Sequence, residues 1–134
     1  MIITINTEHS VESLRVILSD PSFLLPRLFP TIRKLEVMGS SFNGVAKYLT
    51  FEHRIYGNVF FSVNEITYPF TLVFRESTGT GRITITLLDK EVRITLDYEG
   101  WMGFLSKGLL KRWLESFSKD FNEVIRLERI KRKI

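Results

Sequence analysis

Few side chains in this sequence could carry out a reaction. It has two histidines, His9 and His53, and no cysteine. Two distant imidazoles make no local metal motif. Without cysteine there is no thiolate nucleophile, thiolate metal site or disulfide framework. No phosphate-binding Walker loop, G-x-S-x-G elbow or dinucleotide fingerprint occurs; Gly79-Thr80-Gly81 reads as a short turn and a weak phosphate candidate. Carboxylates such as Glu91 and Asp97 fall on solvent-facing strand parities, so the pattern does not indicate an acid/base pair. No catalytic residue, metal or cofactor is expected.

What remains is apolar volume with a few polar groups that strand parity could turn inward. Arg33 shares a parity with Leu35 and Val37, and Lys47 shares one with Val45, Leu49 and Phe51. Carboxylates are costly to bury unless a cation or several donors meet them. Arg33 and Lys47 are therefore the first candidates for an anionic head group, with His53 and Tyr98 beside them. Tyr48, Tyr56 and Tyr68 could add hydroxyls. The competing reading is that Arg33 and Lys47 are surface residues whose stems lie along strands assigned one residue out of register.

These groups need a scaffold, and 134 residues suffice for one domain with a single core. The 44% hydrophobic and 25% charged content is that of a globular chain. Eleven phenylalanines supply stiff apolar surface for a dense core or a lined pocket. The N-terminus lacks the pattern of a leader peptide, and no stretch is apolar enough for a membrane span, so a soluble cytoplasmic protein is expected. The net charge of +4 is concentrated at the end: residues 105–134 hold nine Lys or Arg against four Asp or Glu. That basic end could make transient contact with an anionic membrane surface, or it could simply complement a helix dipole in solvent. Nucleic-acid binding is not expected, because no exposed strand interleaves aromatic and basic residues. The oligomeric state is left open.

The elements follow from periodicity. Residues 2–5 predict a short strand. Ser10 predicts the N-cap of a helix whose apolar face is Val11, Leu14, Ile17 and Leu18 and which stops at Asp20-Pro21. Residues 21–30 predict short helical turns. Six antiparallel strands are then expected at 32–38, 45–52, 55–63, 66–75, 82–88 and 91–98. Breaks are expected at Gly39 to Ser41, Asn43-Gly44, His53-Arg54, Asn64-Glu65, Ser77 to Gly81 and Asp89-Lys90. Pro69 predicts an edge or a bulge. From Gly103 to about Lys131 the stripe Leu110, Trp113, Leu114, Phe117, Phe121, Val124 and Ile125 predicts an amphipathic helix about 40 Å long. The fold class is α+β: a seven-stranded antiparallel sheet curled around a long C-terminal helix, with two short helical segments after the first strand.

In this order of elements the chain resembles the START-like helix-grip superfamily that includes the birch pollen allergen. The local features that carry the likeness are residues 10–21, a first helix ending in Asp20-Pro21, and Gly100-Trp101-Met102-Gly103 leading into the long helix. The likeness spans nearly the whole chain. Within the superfamily it is most similar to an archaeal family restricted to thermoacidophiles and described as fatty-acid carriers. The resemblance implies a cavity between the helix and the concave face of the sheet, lined by aromatic and aliphatic side chains. The expected lining is Leu14, Phe23 and Leu28 from the helical segments, and Leu35, Val37, Leu49, Tyr68, Phe70, Leu72, Ile85, Leu87, Ile94 and Leu96 from the strands. Trp113, Phe117 and Phe121 complete it from the long helix.

The expected function is non-enzymatic carriage of a fatty acid or similar long-chain ligand. Burying a dozen methylenes contributes roughly 10 kcal/mol gross at about 0.8 kcal/mol each, enough for micromolar binding after the costs of association. The alternative is a cyclase- or dehydratase-like enzyme acting on an apolar substrate in the same cavity, since fold does not fix function.

Overall fold

A computed structural model describes the backbone of residues 1–134 and all side chains except those of residues 104–106. Strand β1 (Ile2–Asn6) leads into helix α1 (Val11–Leu18). The Ser10 hydroxyl accepts the Ser13 N–H at 3.2 Å, satisfying one of the free donors of the first turn. Asp20 then caps the next helix, α2 (Pro21–Leu28), by accepting the Ser22 N–H at 3.0 Å, and Pro21 occupies the first turn, where its missing N–H costs nothing. Asp20-Pro21 thus ends one helix and begins another. Leu14, Ile17, Leu18, Phe23, Leu24, Leu25 and Leu28 are all buried beneath them.

Seven further strands form one antiparallel sheet with β1. They are β2 (Ile32–Met38), β3 (Ser41–Tyr48), β4 (Phe51–Asn58), β5 (Phe60–Phe61), β6 (Glu65–Phe74), β7 (Ser77–Leu88) and β8 (Glu91–Gly100). Seven strands run in the order β1-β8-β7-β6-β4-β3-β2, and the two-residue β5 pairs with β6 beyond the end of β4. The sheet curls around helix α3 (Gly103–Arg132). On α3, Leu110, Leu114, Phe117, Phe121 and Ile125 are buried, each contributing about 1.5–3 kcal/mol relative to exposure.

Several strand boundaries differ from the sequence expectation. Asn43-Gly44 is not a turn but lies inside β3, paired with Glu36 and Leu35; the reversal is at Gly39-Ser40, where Gly39 takes a φ of 61°. The reversal expected at His53-Arg54 falls instead at Leu49-Thr50, and it is closed by the pairing of Tyr48 with Phe51. Leu49 carries the positive φ of 57°, an uncommon role for a leucine and one that composition does not signal. Ser77 to Gly81 is not a loop but the first part of β7, and the reversal is at Arg75-Glu76. Gly79 and Gly81 serve close approach: a Cβ at Gly79 would overlap the Tyr98 hydroxyl, and one at Gly81 would overlap the Phe70 ring. Pro69 lies inside the sheet, opposite Arg82 of β7, at the interruption where β4 pairing ends at Phe70 and β5 pairing starts at Thr67. The lost N–H therefore falls where no ladder bond is needed.

The far end of α3 is tied to the first helices. Arg132 donates to Asp20 Oδ2 and Glu128 Oε2, both at 2.6 Å, so the residue that caps α2 also holds the C-terminal turn of α3. Tyr68, fully buried at the centre of β6, donates its hydroxyl to the Leu18 carbonyl at 2.6 Å.

Candidate functional site

A bulge in β2 decides where Arg33 points. Ile32 pairs with Ala46, but Lys34 pairs with Val45, so Arg33 is the extra residue between them. The shift puts the half-buried Ile32 and Leu35 against the core and leaves Arg33, Lys34 and Val37 exposed. In β3 the inward parity is Phe42, Ala46 and Tyr48, while Lys47 is exposed on the outer face opposite Glu52. Neither of the expected cations therefore reaches the interior. Leu49, in its turn, is also exposed.

The earlier reversal at Leu49-Thr50 makes His53 an inward strand residue, directly across the ladder from Ala46. Both belong to the floor of a cavity of about 60 Å3 beneath the start of α3. Its buried floor is Phe29, Ala46, His53, Ile55, Phe70 and Leu110. Its half-buried rim comes from the α2–β2 junction (Thr31, Ile32), β3 (Tyr48), β6 (Leu72), the β8–α3 turn (Trp101, Met102) and α3 (Leu109, Trp113). Ring contacts build the walls. Phe29 meets Phe70 edge-on at 5.4 Å and Trp113 at 6.4 Å. Trp101 stacks on Phe74 at 5.0 Å and touches the His53 ring at 4.9 Å.

His53 Nδ1 lies 3.1 Å from the Phe51 carbonyl and must donate to it, so a neutral ring carries its lone pair on Nε2. Burial pushes the imidazole below its ordinary value of 6.5, against the smaller opposite pull of the Phe51 carbonyl. Tyr98 does not line this cavity. Its ring stacks behind Phe70 at 6.2 Å, and its hydroxyl donates to the Trp101 carbonyl at 2.6 Å; burial pushes its pKa up to about 12. It acts as a support for Trp101.

Of the side chains expected to line a pocket, Phe70, Leu72, Trp113 and His53 do so. Leu14, Phe23, Leu28, Tyr68, Ile85, Leu87, Ile94, Phe117 and Phe121 are instead buried in the close-packed core, as is Leu96, which also edges a second groove between β7, β8 and α3. Leu35 is half-buried at its margin, and Val37 is on the surface. The cavity thus occupies one end of the groove and does not run the length of α3. Phe29, Ala46, Ile55, Trp101 and Met102 were not anticipated. The only local signal was Trp101, a large aromatic set among glycines before α3.

A second, open groove of about 620 Å3 lies on the other side of Leu110, between β7, β8 and α3. It is lined by charges of both signs, among them Arg82, Asp97, Glu99, Lys107 and Lys111. At the basic C-terminus, Arg126 pairs with Glu123, Arg129 contacts His9 Nδ1 at 3.0 Å, and Arg132 is held as described above. Much of that charge is engaged within the chain. Among the described residues no helix is long and apolar enough to cross a membrane.

The comparisons with known proteins agree on the fold. A hypothetical protein from Sulfolobus tokodaii superposes with a TM-score of 0.84 at 28% identity, covering 100% of this chain and 99% of the other. A conserved protein from Geobacillus kaustophilus matches with a TM-score of 0.66 at 14% identity, covering 93% of each chain. A protein from Rhizobium loti matches with a TM-score of 0.62 at 13% identity, covering 92% of this chain and 94% of the other. The last two show a shared fold and nothing further. No curated protein matches the sequence significantly. A protein-family model matches residues 1–134, and the chain belongs to that family from its first residue to its last.

Proposed function

We propose that this protein binds and carries a hydrophobic small molecule, a fatty acid or similar long-chain compound, without turning it over. The apolar part would enter the cavity under the start of α3. One observation carries the reading: among the described residues, a cavity walled by aromatic side chains and lined by no Asp, Glu, Lys or Arg lies between sheet and helix. The START-like resemblance of the sequence supports it. At about 60 Å3 the cavity is well below the roughly 300–1,000 Å3 of ligand pockets. Binding a long chain therefore requires the rim to give way, and Met102 and Leu109 are side chains that can swing at modest cost. A carboxylate head would remain at the mouth, because no described cation lines the cavity.

The alternative, turnover of an apolar substrate, would place His53 as the general base. Its Nδ1 is held by a backbone carbonyl and not by a carboxylate that would stabilise the imidazolium. That arrangement supports carriage over catalysis. The test is solvent extraction and native mass spectrometry of the purified protein, together with thermal shift across a series of fatty acids and alcohols. A copurifying lipid and a chain-length-dependent rise in melting temperature are expected; absence of both would sink the reading.

A further inference from the structure

We propose that the polar group this cavity accepts is an uncharged hydroxyl donating to His53 Nε2, so that the ligand class is an apolar alcohol or phenol in preference to a carboxylate. The inference rests on the carrier function proposed above and narrows its ligand. Three observations carry it. First, no lining residue is charged, and residues 104–106, Phe, Leu and Ser, could not add a charge. Arg33 and Lys47, the cations that could have met an anion, face solvent. Second, His53 is buried at the floor with Nδ1–H committed to the Phe51 carbonyl, which leaves Nε2 as an acceptor. Third, no described group donates to Nε2, so its lone pair is open to a donor on the ligand.

A ligand hydroxyl placed there gains one hydrogen bond at an acceptor partly withdrawn from solvent. A hydrocarbon leaves Nε2 unpaired and loses roughly tenfold in affinity relative to its transfer from water. A carboxylate faces the Nε2 lone pair unless the ring takes up a proton, which burial opposes, and this is worse. The preference is thus built into the tautomer that the Phe51 carbonyl imposes.

The experiment is calorimetric titration of the full chain at pH 7.5 with 2-phenylethanol, ethylbenzene and phenylacetate, which share one apolar body. Phenylacetate is expected to bind at least about tenfold more weakly than 2-phenylethanol. His53→Phe is expected to weaken 2-phenylethanol about tenfold relative to ethylbenzene. In the unsubstituted protein, the 15N resonance of His53 Nε2 should move on adding the alcohol and not on adding ethylbenzene, a readout that holds even if the variant misfolds. Tighter binding of phenylacetate, or an Nε2 resonance indifferent to the alcohol, overturns the inference and leaves the carrier reading standing. If none of the three binds, the inference also fails, and the carrier reading is then judged by its own lipid extraction.

Discussion

Tyr68 and Leu18 are joined by a hydrogen bond of 2.6 Å that links the middle of the sheet to the last turn of α1, fifty residues away in the chain. The ring is fully buried, and both burial and the nearby Asp20 carboxylate push the phenol well above its ordinary range. The hydroxyl is therefore held in its protonated, donating form. Tyr68→Phe should remove it and leave the Leu18 carbonyl short of a partner, costing about 1–3 kcal/mol. Urea unfolding should show a lower midpoint with an unchanged slope.

His53 makes stability depend on pH in a defined direction. Because burial holds its folded pKa below 6.5, the unfolded chain takes up the proton first as pH falls. The contribution is complete above about pH 6.5 and is lost progressively below it, down to the folded pKa. Unfolding free energies measured between pH 8 and 5 should decline more steeply for the native sequence than for His53→Phe. Parallel curves would show that the imidazole remains solvated.

Ala46 offers a way to close the cavity from its floor. It is 2% exposed and pairs with His53 across the ladder. Filling about 60 Å3 would recover up to about 1.4 kcal/mol at roughly 24 cal/mol per Å3. Ala46→Val, β-branched and in a strand, should therefore raise thermal stability by up to about 1 kcal/mol. It should also weaken binding of any ligand that uses the cavity, by calorimetry. A stability gain with undiminished binding would move the ligand elsewhere.

Gly79 and Gly81 let two rings lie across β7. Gly79→Ala should push the Tyr98 hydroxyl away from the Trp101 carbonyl, and Gly81→Ala should displace Phe70. Each is expected to cost about 1–3 kcal/mol. Near-ultraviolet circular dichroism should change for both variants, since Phe70 stacks on Tyr98 and the Tyr98 hydroxyl holds the Trp101 carbonyl.

By itself the sequence determined the parts whose signals are local. Ser10 and Asp20-Pro21 set the helix limits, because caps and proline act on their own turn. The alternation Val92, Ile94, Leu96 identified the buried face of β8, and the stripe from Leu110 to Ile125 identified that of α3, since one period implies one face. What only the tertiary structure decided was everything that depends on register. The β2 bulge turned Arg33 outward, and the parity of β3, set by a reversal at Leu49 with no glycine to announce it, turned Lys47 outward and brought His53 in. A shift of one residue exchanges the faces of a strand while leaving its composition untouched. The extent of the cavity is likewise not a property of any residue type. Phe117 and Phe70 are both buried phenylalanines, one in closed core and one at a cavity wall, and only the volumes of their neighbours in space distinguish them.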